Sequence, residues 1–202
     1  MQNTLKQYWA ELALIAQAID LDEIAAAAAM LLNCHRRGGT IFIFGNGGSA
    51  ATAAHFACDL AKGTRSVACG GLRVLALVDS APLLTAWAND SSYERIFAEQ
   101  VTLLARPGDL VLAISASGNS PNVLAGVQAA RTRGAETIAL TGWPGGALRT
   151  LVDLAVHTPD ACIELVEDMH MAMAHSICVV LREQLASVPN AELLALAVGQ
   201  TS

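Results

Sequence analysis

Residues 40–49 read TIFIFGNGGS, a short apolar run that leads straight into a glycine-rich turn. The run Thr40–Phe44 is too short for a helix and predicts a buried strand. The glycines that follow let the backbone approach a ligand closely, and the first N–H groups of the next helix can meet an anion. The segment predicts an anion-binding loop, with an ordinary strand-to-helix turn as the alternative. Its candidate ligand-binding residues are Asn46, Gly47, Gly48 and Ser49.

The rest of the chain alternates short apolar runs with helical patterns. Together with the first run, the predicted strands are Thr40–Phe44, Arg73–Val78, Leu110–Ser115, Thr137–Thr141 and Leu154–His157. The helical patterns between them are Ser49–Lys62, Ala81–Ala88, Tyr93–Ala105, Asn119–Arg133 and Ala147–Leu151. This alternation predicts an α/β fold, a three-layer α/β/α sandwich around a doubly wound, five-stranded parallel sheet.

Helical patterns also flank this alternating region. Apolar residues from Leu5 to Arg37 predict one or two helices, with Asp20 as a cap and Gly38-Gly39 as a stop. A long helix over Ile163–Ala186 closes the fold, and the tail from Pro189 adds a short helix. We expect a single domain over residues 1–202, with an N-terminal helical segment (1–38), a core (39–187) and a C-terminal tail (188–202).

Composition excludes several classes of protein. The chain has 202 residues, 53% of them hydrophobic, so it can bury a sizeable core and is not disordered. Its 12 basic and 18 acidic residues give a net charge of −6, which argues against direct nucleic-acid binding. No apolar run reaches the roughly 18 to 20 residues of a membrane span. The polar N-terminus lacks a secretory signal, and five cysteines without a C-x-x-C pair fit reduced thiols, so we expect a cytoplasmic protein.

A second strand-to-helix junction is rich in hydroxyl groups. The strand Leu110–Ser115 ends in the segment SASGNSP at residues 115–121, whose proline suits the first turn of a helix. Hydroxyl and backbone donors at a helix start can bind a phosphate monoester without cationic side chains. The predicted phosphate-binding residues are Ser115, Ala116, Ser117, Asn119 and Ser120. The alternative is that these serines only cap the helix.

Titratable side chains gather on two of the predicted helices. His55 and Asp59, four residues apart, share a helix face and could bind one metal ion. On the last helix, Glu167 and His170 share a face, whereas His175 is offset from both. The alternative for each histidine is a buried, hydrogen-bonded core residue.

The two loops together resemble those of a known family. Residues 44–56 (FGNGGSAATAAHF) and 114–123 (ISASGNSPNV) are similar to the sugar isomerase (SIS) domain and, within it, to the phosphoheptose isomerases. The likeness covers roughly residues 40–182. It also includes Asn89-Asp90, Leu140-Thr141-Gly142 and Glu167-Asp168-Met169-His170.

This resemblance implies a site for zinc, or alternatively for another divalent ion, formed by His55, Asp59, Glu167 and His175. The family has glutamate where this chain has Asp59 and glutamine where it has Glu167, so the geometry of the site departs from the family pattern. Because Glu167 and His175 are eight residues apart, about 12 Å along an ideal helix, three routes to a shared ion stay open. The two side chains could lean together, the first helical turn could be irregular, or the site could cross a subunit interface.

The resemblance also implies an activity. It is the metal-assisted isomerisation of a sugar phosphate, sedoheptulose 7-phosphate, to D-glycero-D-manno-heptose 7-phosphate through an enediol. Asp59 and His175 would transfer the proton, Glu167 would also contact the substrate, and Asp90 would contact sugar hydroxyls unless it is only a helix N-cap. The family predicts a homotetramer. The alternative is a noncatalytic SIS protein that binds a sugar phosphate or associates with a replication initiator, although such relatives lose the acid of the first helix and the final histidine.

Overall fold

The computed structural model describes residues 1–65 and 70–186. Five strands form one sheet in the order β2-β1-β3-β4-β5, and every neighbouring pair is parallel. Each predicted strand is present. Their bounds are β1 Ile41–Gly45, β2 Val74–Ala76, β3 Leu110–Ser115, β4 Glu136–Thr141 and β5 Leu154–His157.

Helices cover both faces of this sheet. Their bounds are α1 Gln2–Ala18, α2 Leu21–Arg36, α3 Gly48–Cys58, α4 Ala81–Asp90, α5 Ile96–Leu104, α6 Pro121–Thr132, α7 Leu148–Leu151 and α8 Ile163–Ala186. A π-helical turn, Asp59–Gly63, follows α3, and a 3₁₀ turn, Tyr93–Arg95, precedes α5.

Two apolar cores lie on opposite faces of the sheet. Along β1, Ile41 and Ile43 join the core formed with α1, α2, α3 and α8, whereas Phe42 and Phe44 join the core formed with α4 to α7. This alternation follows from the two-residue side-chain period of a strand. The predicted three-layer sandwich is therefore confirmed.

The N-terminal segment consists of two helices. The chain turns extended at Ile19, and the Asp20 carboxylate then accepts hydrogen bonds from the backbone N–H groups of Asp22 and Glu23 at 2.8 and 3.4 Å. The predicted cap is confirmed. After α2, Gly38 takes a φ of +72°, which a residue with a side chain rarely adopts, and the chain leaves the helix for β1.

Two expectations about local structure are wrong. The β2 strand pairs with only three residues of β1 at the sheet edge, and Leu75 is 49% exposed, so it is not the long buried strand we expected. The predicted α-helix over residues 49–62 ends at Cys58 and continues as the π-helical turn. The predicted helix after Pro189 lies outside the described residues, as does Cys69.

The strand order also locates the most suitable place for a ligand. The connections that follow β1 and β3 lead to opposite faces of the sheet, which opens a crevice between the carboxyl ends of these neighbouring strands. Both of the predicted loops begin there, because β1 ends at Gly45 and β3 ends at Ser115. In the part of the chain that the structure describes, no helix has the length and hydropathy needed to cross a membrane.

Candidate active site

The serine-rich loop connects β3 to α6 at the centre of this edge. Ser115 and Ser120 place their hydroxyl oxygens 3.4 Å apart, and Ser120 occupies the N-cap position of α6 without making a side-chain cap bond. The hydroxyl group of Ser117 accepts a hydrogen bond from the backbone N–H of Asn119 at 3.2 Å. The side chain of Asn119 is held in turn by the backbone N–H of Ala147 at 2.9 Å. Since Ser120 does not cap its own helix, its hydroxyl group is available to a ligand.

A cavity of about 440 Å³ opens above this loop. No lysine or arginine lines it, so its anion-binding capacity rests on hydroxyl, amide and backbone groups. Its polar residues are Asn46, Ser49, Ser115, Ser117, Asn119, Ser120 and Glu167. The opposite wall is apolar and includes Trp143, Ile163 and Val166, which the sequence analysis did not single out.

Asn46 connects the glycine-rich loop to the serine-rich loop. Its side-chain amide exchanges two hydrogen bonds, both of 2.8 Å, with the amide of Asn122 on α6. The hydroxyl group of Tyr93 donates a third hydrogen bond to the Asn46 carbonyl oxygen at 3.0 Å. Asn46 therefore lines the cavity while its side chain holds the glycine-rich loop against α6 and Tyr93. The sequence analysis missed Asn122 and Tyr93, because only the folded chain brings them to Asn46.

The start of α3 already faces a negative charge from within the chain. Both carboxylate oxygens of Glu167 lie so close to Gly48 that a Cβ atom there would collide with them. Gly47, with a φ of +54°, turns the chain into the helix. A carboxylate near a helix N-terminus is stabilised by the helix dipole. The predicted anion-binding loop at Gly47 and Gly48 thus lies against an internal anion, which leaves the serine-rich loop as the better place for a phosphate.

Three of the four predicted metal ligands, His55, Asp59 and His175, converge where α3 packs against α8. The Nε2 atoms of His55 and His175 are 3.0 Å apart. A carboxylate oxygen of Asp59 lies 3.4 Å from the first and 3.7 Å from the second. All three side chains are partly exposed, so a small ligand could reach them.

These donor atoms fit a divalent metal ion of the size of zinc. Tetrahedral zinc with ligands at about 2.0–2.1 Å separates neighbouring ligand atoms by roughly 3.3 Å. The three separations of 3.0, 3.4 and 3.7 Å bracket that value. Two imidazoles and one carboxylate are a common ligand set for catalytic zinc, which keeps a further position for water or substrate.

Glu167 and His170 lie outside this group of three. Helix α8 is regular from Ile163 onward, so the irregular first turn considered above is absent. The Glu167 carboxylate faces Gly48 instead, and its role as a fourth ligand stays a prediction. His170 is fully buried, neither ring nitrogen has a regular hydrogen-bond partner among the described residues, and burial lowers its pKa to about 4. The exposed His175 is therefore the better candidate for proton transfer at neutral pH.

Asp90 does not lie at the start of a helix. Asn89 and Asp90 end helix α4, and the Asn89 amide donates to the Asp90 carboxylate at 2.8 Å. The N-cap alternative is therefore wrong. Asp90 is exposed and does not line the described cavity of this protomer, so its contact with substrate stays a prediction.

The π-helical turn that contains Asp59 ends at Gly63, where it is bonded to α8. The guanidinium group of Arg182 on α8 donates to the Gly63 carbonyl oxygen at 2.9 Å, and it would lie 3.3 Å from a Cβ atom added at this glycine. A second helix therefore supplies a cation at this position, which sequence spacing could not show.

Comparison with known proteins agrees with this arrangement. Residues 7–142 match the family model described as the SIS domain. A phosphoheptose isomerase of a Roseiflexus species is 41% identical over 162 residues, covering 80% of this chain and 82% of its own. A probable phosphoheptose isomerase of Thermoplasma acidophilum is 36% identical over 179 residues, covering 89% and 98%.

Solved structures give the same result. The phosphoheptose isomerase of Neisseria gonorrhoeae superposes with a TM-score of 0.84 at 32% identity, covering 90% of this chain and 98% of its own. The Francisella tularensis enzyme superposes with the same TM-score at 29% identity. The chain therefore belongs to the SIS domain family and, within it, to the phosphoheptose isomerases.

Proposed function

We propose that this isomerase interconverts sedoheptulose 7-phosphate and D-glycero-D-manno-heptose 7-phosphate. The observation that carries the proposal is the arrangement of polar groups along the paired helices α3 and α8. Ser49 and Glu167 border the cavity near the start of these helices, whereas His55 and His175 lie six and eight residues further along, about 9 and 12 Å at the helical rise. An extended sugar phosphate can span from the serine-rich loop to the histidines.

The reaction is a transfer of hydrogen between neighbouring carbon atoms. A base removes a proton from C1 of the ketose, the electron pair of that C–H bond forms the C1–C2 double bond, and the C2 carbonyl oxygen takes up a proton to give the enediol. The proton is returned to C2 while the hydroxyl proton on O1 leaves and O1 becomes the aldehyde oxygen. We assign these transfers to His175 and Asp59, the imidazole and the carboxylate that converge between α3 and α8. An exposed imidazole can act as either the acid or the base in such a transfer.

We also propose that His55, Asp59 and His175 hold Zn²⁺, with Glu167 as a fourth ligand or as a substrate contact. The support is the convergence of two ring nitrogens and one carboxylate oxygen at separations suited to a single ion. When bound there, zinc supplies Lewis-acid polarisation of the substrate carbonyl. A residue that binds zinc through one atom can carry a proton only through another, so Asp59 would use its second carboxylate oxygen and His175 its other ring nitrogen.

The phosphate end of the substrate is assigned to the serine-rich loop. Ser115, Ser117 and Ser120 offer hydroxyl groups, Ala116 and Asn119 offer backbone groups, and α6 contributes its positive dipole end. We expect the Glu167 carboxylate to repel a phosphate from the glycine-rich loop. This repulsion orients the substrate with its carbonyl end toward His55 and His175.

We further propose that the protein is a cytoplasmic homotetramer. Helix α1 exposes Leu5, Trp9 and Leu14 by 56%, 66% and 66%, which is apolar surface that a second copy could cover. The alanine-rich stretch Ala25–Ala29 of α2 offers little further surface, since Ala27 and Ala28 are buried within the chain's own core. The number of four subunits comes from the family resemblance. The described cysteines are all free, as in a reducing compartment.

Replacing Ser120 with alanine is expected to weaken phosphate binding by roughly 10- to 100-fold, because a hydrogen bond to a charged group contributes roughly 1.5–3 kcal/mol. The measurement is the thermal stabilisation produced by inorganic phosphate, since a ligand of the native state raises stability by mass action. Ser92→Ala is the matched control, because Ser92 also precedes a helical turn without a cap bond but lies outside the cavity. Equal stabilisation of Ser120→Ala and the parent protein would refute the assignment.

Replacing His175 with glutamine is expected to lower kcat by roughly 10²-fold or more, the usual scale for losing a general acid or base. Asp59→Asn should do the same and also lower the zinc content of the purified protein, because an amide is a poorer ligand than a carboxylate. Asp59→Glu restores the family's longer side chain and should keep or raise the activity. Steady-state kinetics measures kcat and elemental analysis measures the zinc content, both on the same preparation. Full activity of His175→Gln would contradict the proton-transfer role.

The proposed assembly depends on the apolar face of α1. Light scattering of the parent protein at micromolar concentration should give the mass of four chains. Trp9→Glu places a charge in that contact and should reduce the mass, whereas Lys6→Gln on the same helix should leave it unchanged. A stable monomer of the parent protein would contradict the proposal.

A further inference from the structure

A second cleft lies at the opposite edge of the sheet. Its volume is about 410 Å³, and its walls come from the segments that enter β1, β2 and β3. Three arginines line it, Arg37 at the end of α2, Arg73 before β2 and Arg106 before β3. These are three of only 12 basic residues in a chain of net charge −6. Positive charge is therefore concentrated here against the overall charge of the protein.

This arginine cleft is separate from the candidate active site. The serine-rich and glycine-rich loops follow the carboxyl ends of β1 and β3, whereas the arginine cleft lies before their amino ends. Strands of five and six residues put roughly 16–20 Å between the two edges. A substrate held by the serine-rich loop does not reach the arginines.

Two of the three guanidinium groups have no partner in the described part of the chain. Arg37 donates two hydrogen bonds to the carboxylate of Glu136, at 2.7 and 3.3 Å. The buried carboxylate of Asp109 accepts from the backbone N–H groups of Thr40 and Arg106, at 2.7 and 2.8 Å. The hydrogen bonds of the Asp109 carboxylate therefore go to the backbone and not to the guanidinium groups. The side chains of Arg73 and Arg106, in contrast, make no hydrogen bond or ion pair with any described residue.

The remaining walls are mixed, and apolar side chains lie there beside Thr40, Asp109 and three glycines. Phe42, which is almost fully buried, lines the inner part, and Leu75 and Leu104 are 49% and 44% exposed beside the arginines. Arginine is well suited to phosphate, because its planar group offers paired donors and is weakly hydrated. A cleft of this volume is within the range of small-molecule sites. We propose that the arginine cleft binds an organic phosphate with an apolar or aromatic body, of the size of a nucleoside diphosphate.

The test uses ADP as the probe and isothermal titration calorimetry on the full chain. The parent protein should bind ADP with a Kd of about 1 mM or lower, whereas adenosine, which lacks the phosphates, should not bind measurably. Arg73→Gln and Arg106→Gln should each weaken ADP binding by tenfold or more, and the double variant should abolish it. Both side chains are exposed, so the variants should fold, which circular dichroism checks.

Matched variants separate this cleft from the rest of the molecule. Lys6→Gln removes the same charge from α1 and should leave ADP affinity unchanged. Ser120→Ala should also leave it unchanged, which distinguishes the arginine cleft from the active-site cavity. The proposal fails if ADP does not bind, if adenosine binds equally well, or if the arginine variants keep full affinity. It also fails if those variants change only the assembly state, because the cleft would then be a contact between subunits.

Discussion

The packing of α3 against α8 is the constraint on which the candidate active site depends. His55 lies on α3 and Asp59 begins the π-helical turn that follows it, whereas His175 lies on α8, so these three side chains converge only where the two helices meet. Ala53 on α3 and Ala174 on α8 are fully buried in the core that both helices join. The π-helical turn that begins at Asp59 is a feature often found at functional sites.

The second constraint is electrostatic. The chain is acidic, and the described cavity has no cationic side chain, yet the family's substrates carry a phosphate. Hydroxyl groups, backbone N–H groups and the start of α6 can bind that phosphate without a net positive surface. The Glu167 carboxylate beside Gly48 disfavours an anion at the start of α3. It therefore favours binding of the phosphate at the serine-rich loop. One internal charge therefore distinguishes two loops that look equally suitable in sequence.

Local patterns predicted most of the fold. The strands, the cap at Asp20 and the long helix over Ile163–Ala186 depend on spacing along the chain, and the structure agrees with them. Patterns failed where a distant segment decides the outcome. The β2 strand is short because it lies at the sheet edge, and Asn46 is engaged because Asn122 and Tyr93 reach it after folding.

The sequence likewise predicted some features of the candidate site and could not predict others. The i, i+4 spacing was enough to pair His55 with Asp59, and the family resemblance added His175. Spacing alone could not tell which histidine of α8 is buried, because that depends on how the helix is rotated against the sheet. It also could not show that Glu167 faces Gly48 or that Arg182 bonds to Gly63. Each of these contacts joins segments more than 100 residues apart.

The most direct test of the account is solvent hydrogen exchange into the substrate. Sedoheptulose 7-phosphate would be incubated with zinc-loaded protein in D₂O, and deuterium at C1 and C2 would be followed by NMR. The account predicts incorporation at these two carbons alone, dependent on His175 and Asp59, together with formation of the aldose. Binding of the sugar phosphate without any deuterium incorporation, in fully metallated protein, would contradict the isomerase mechanism.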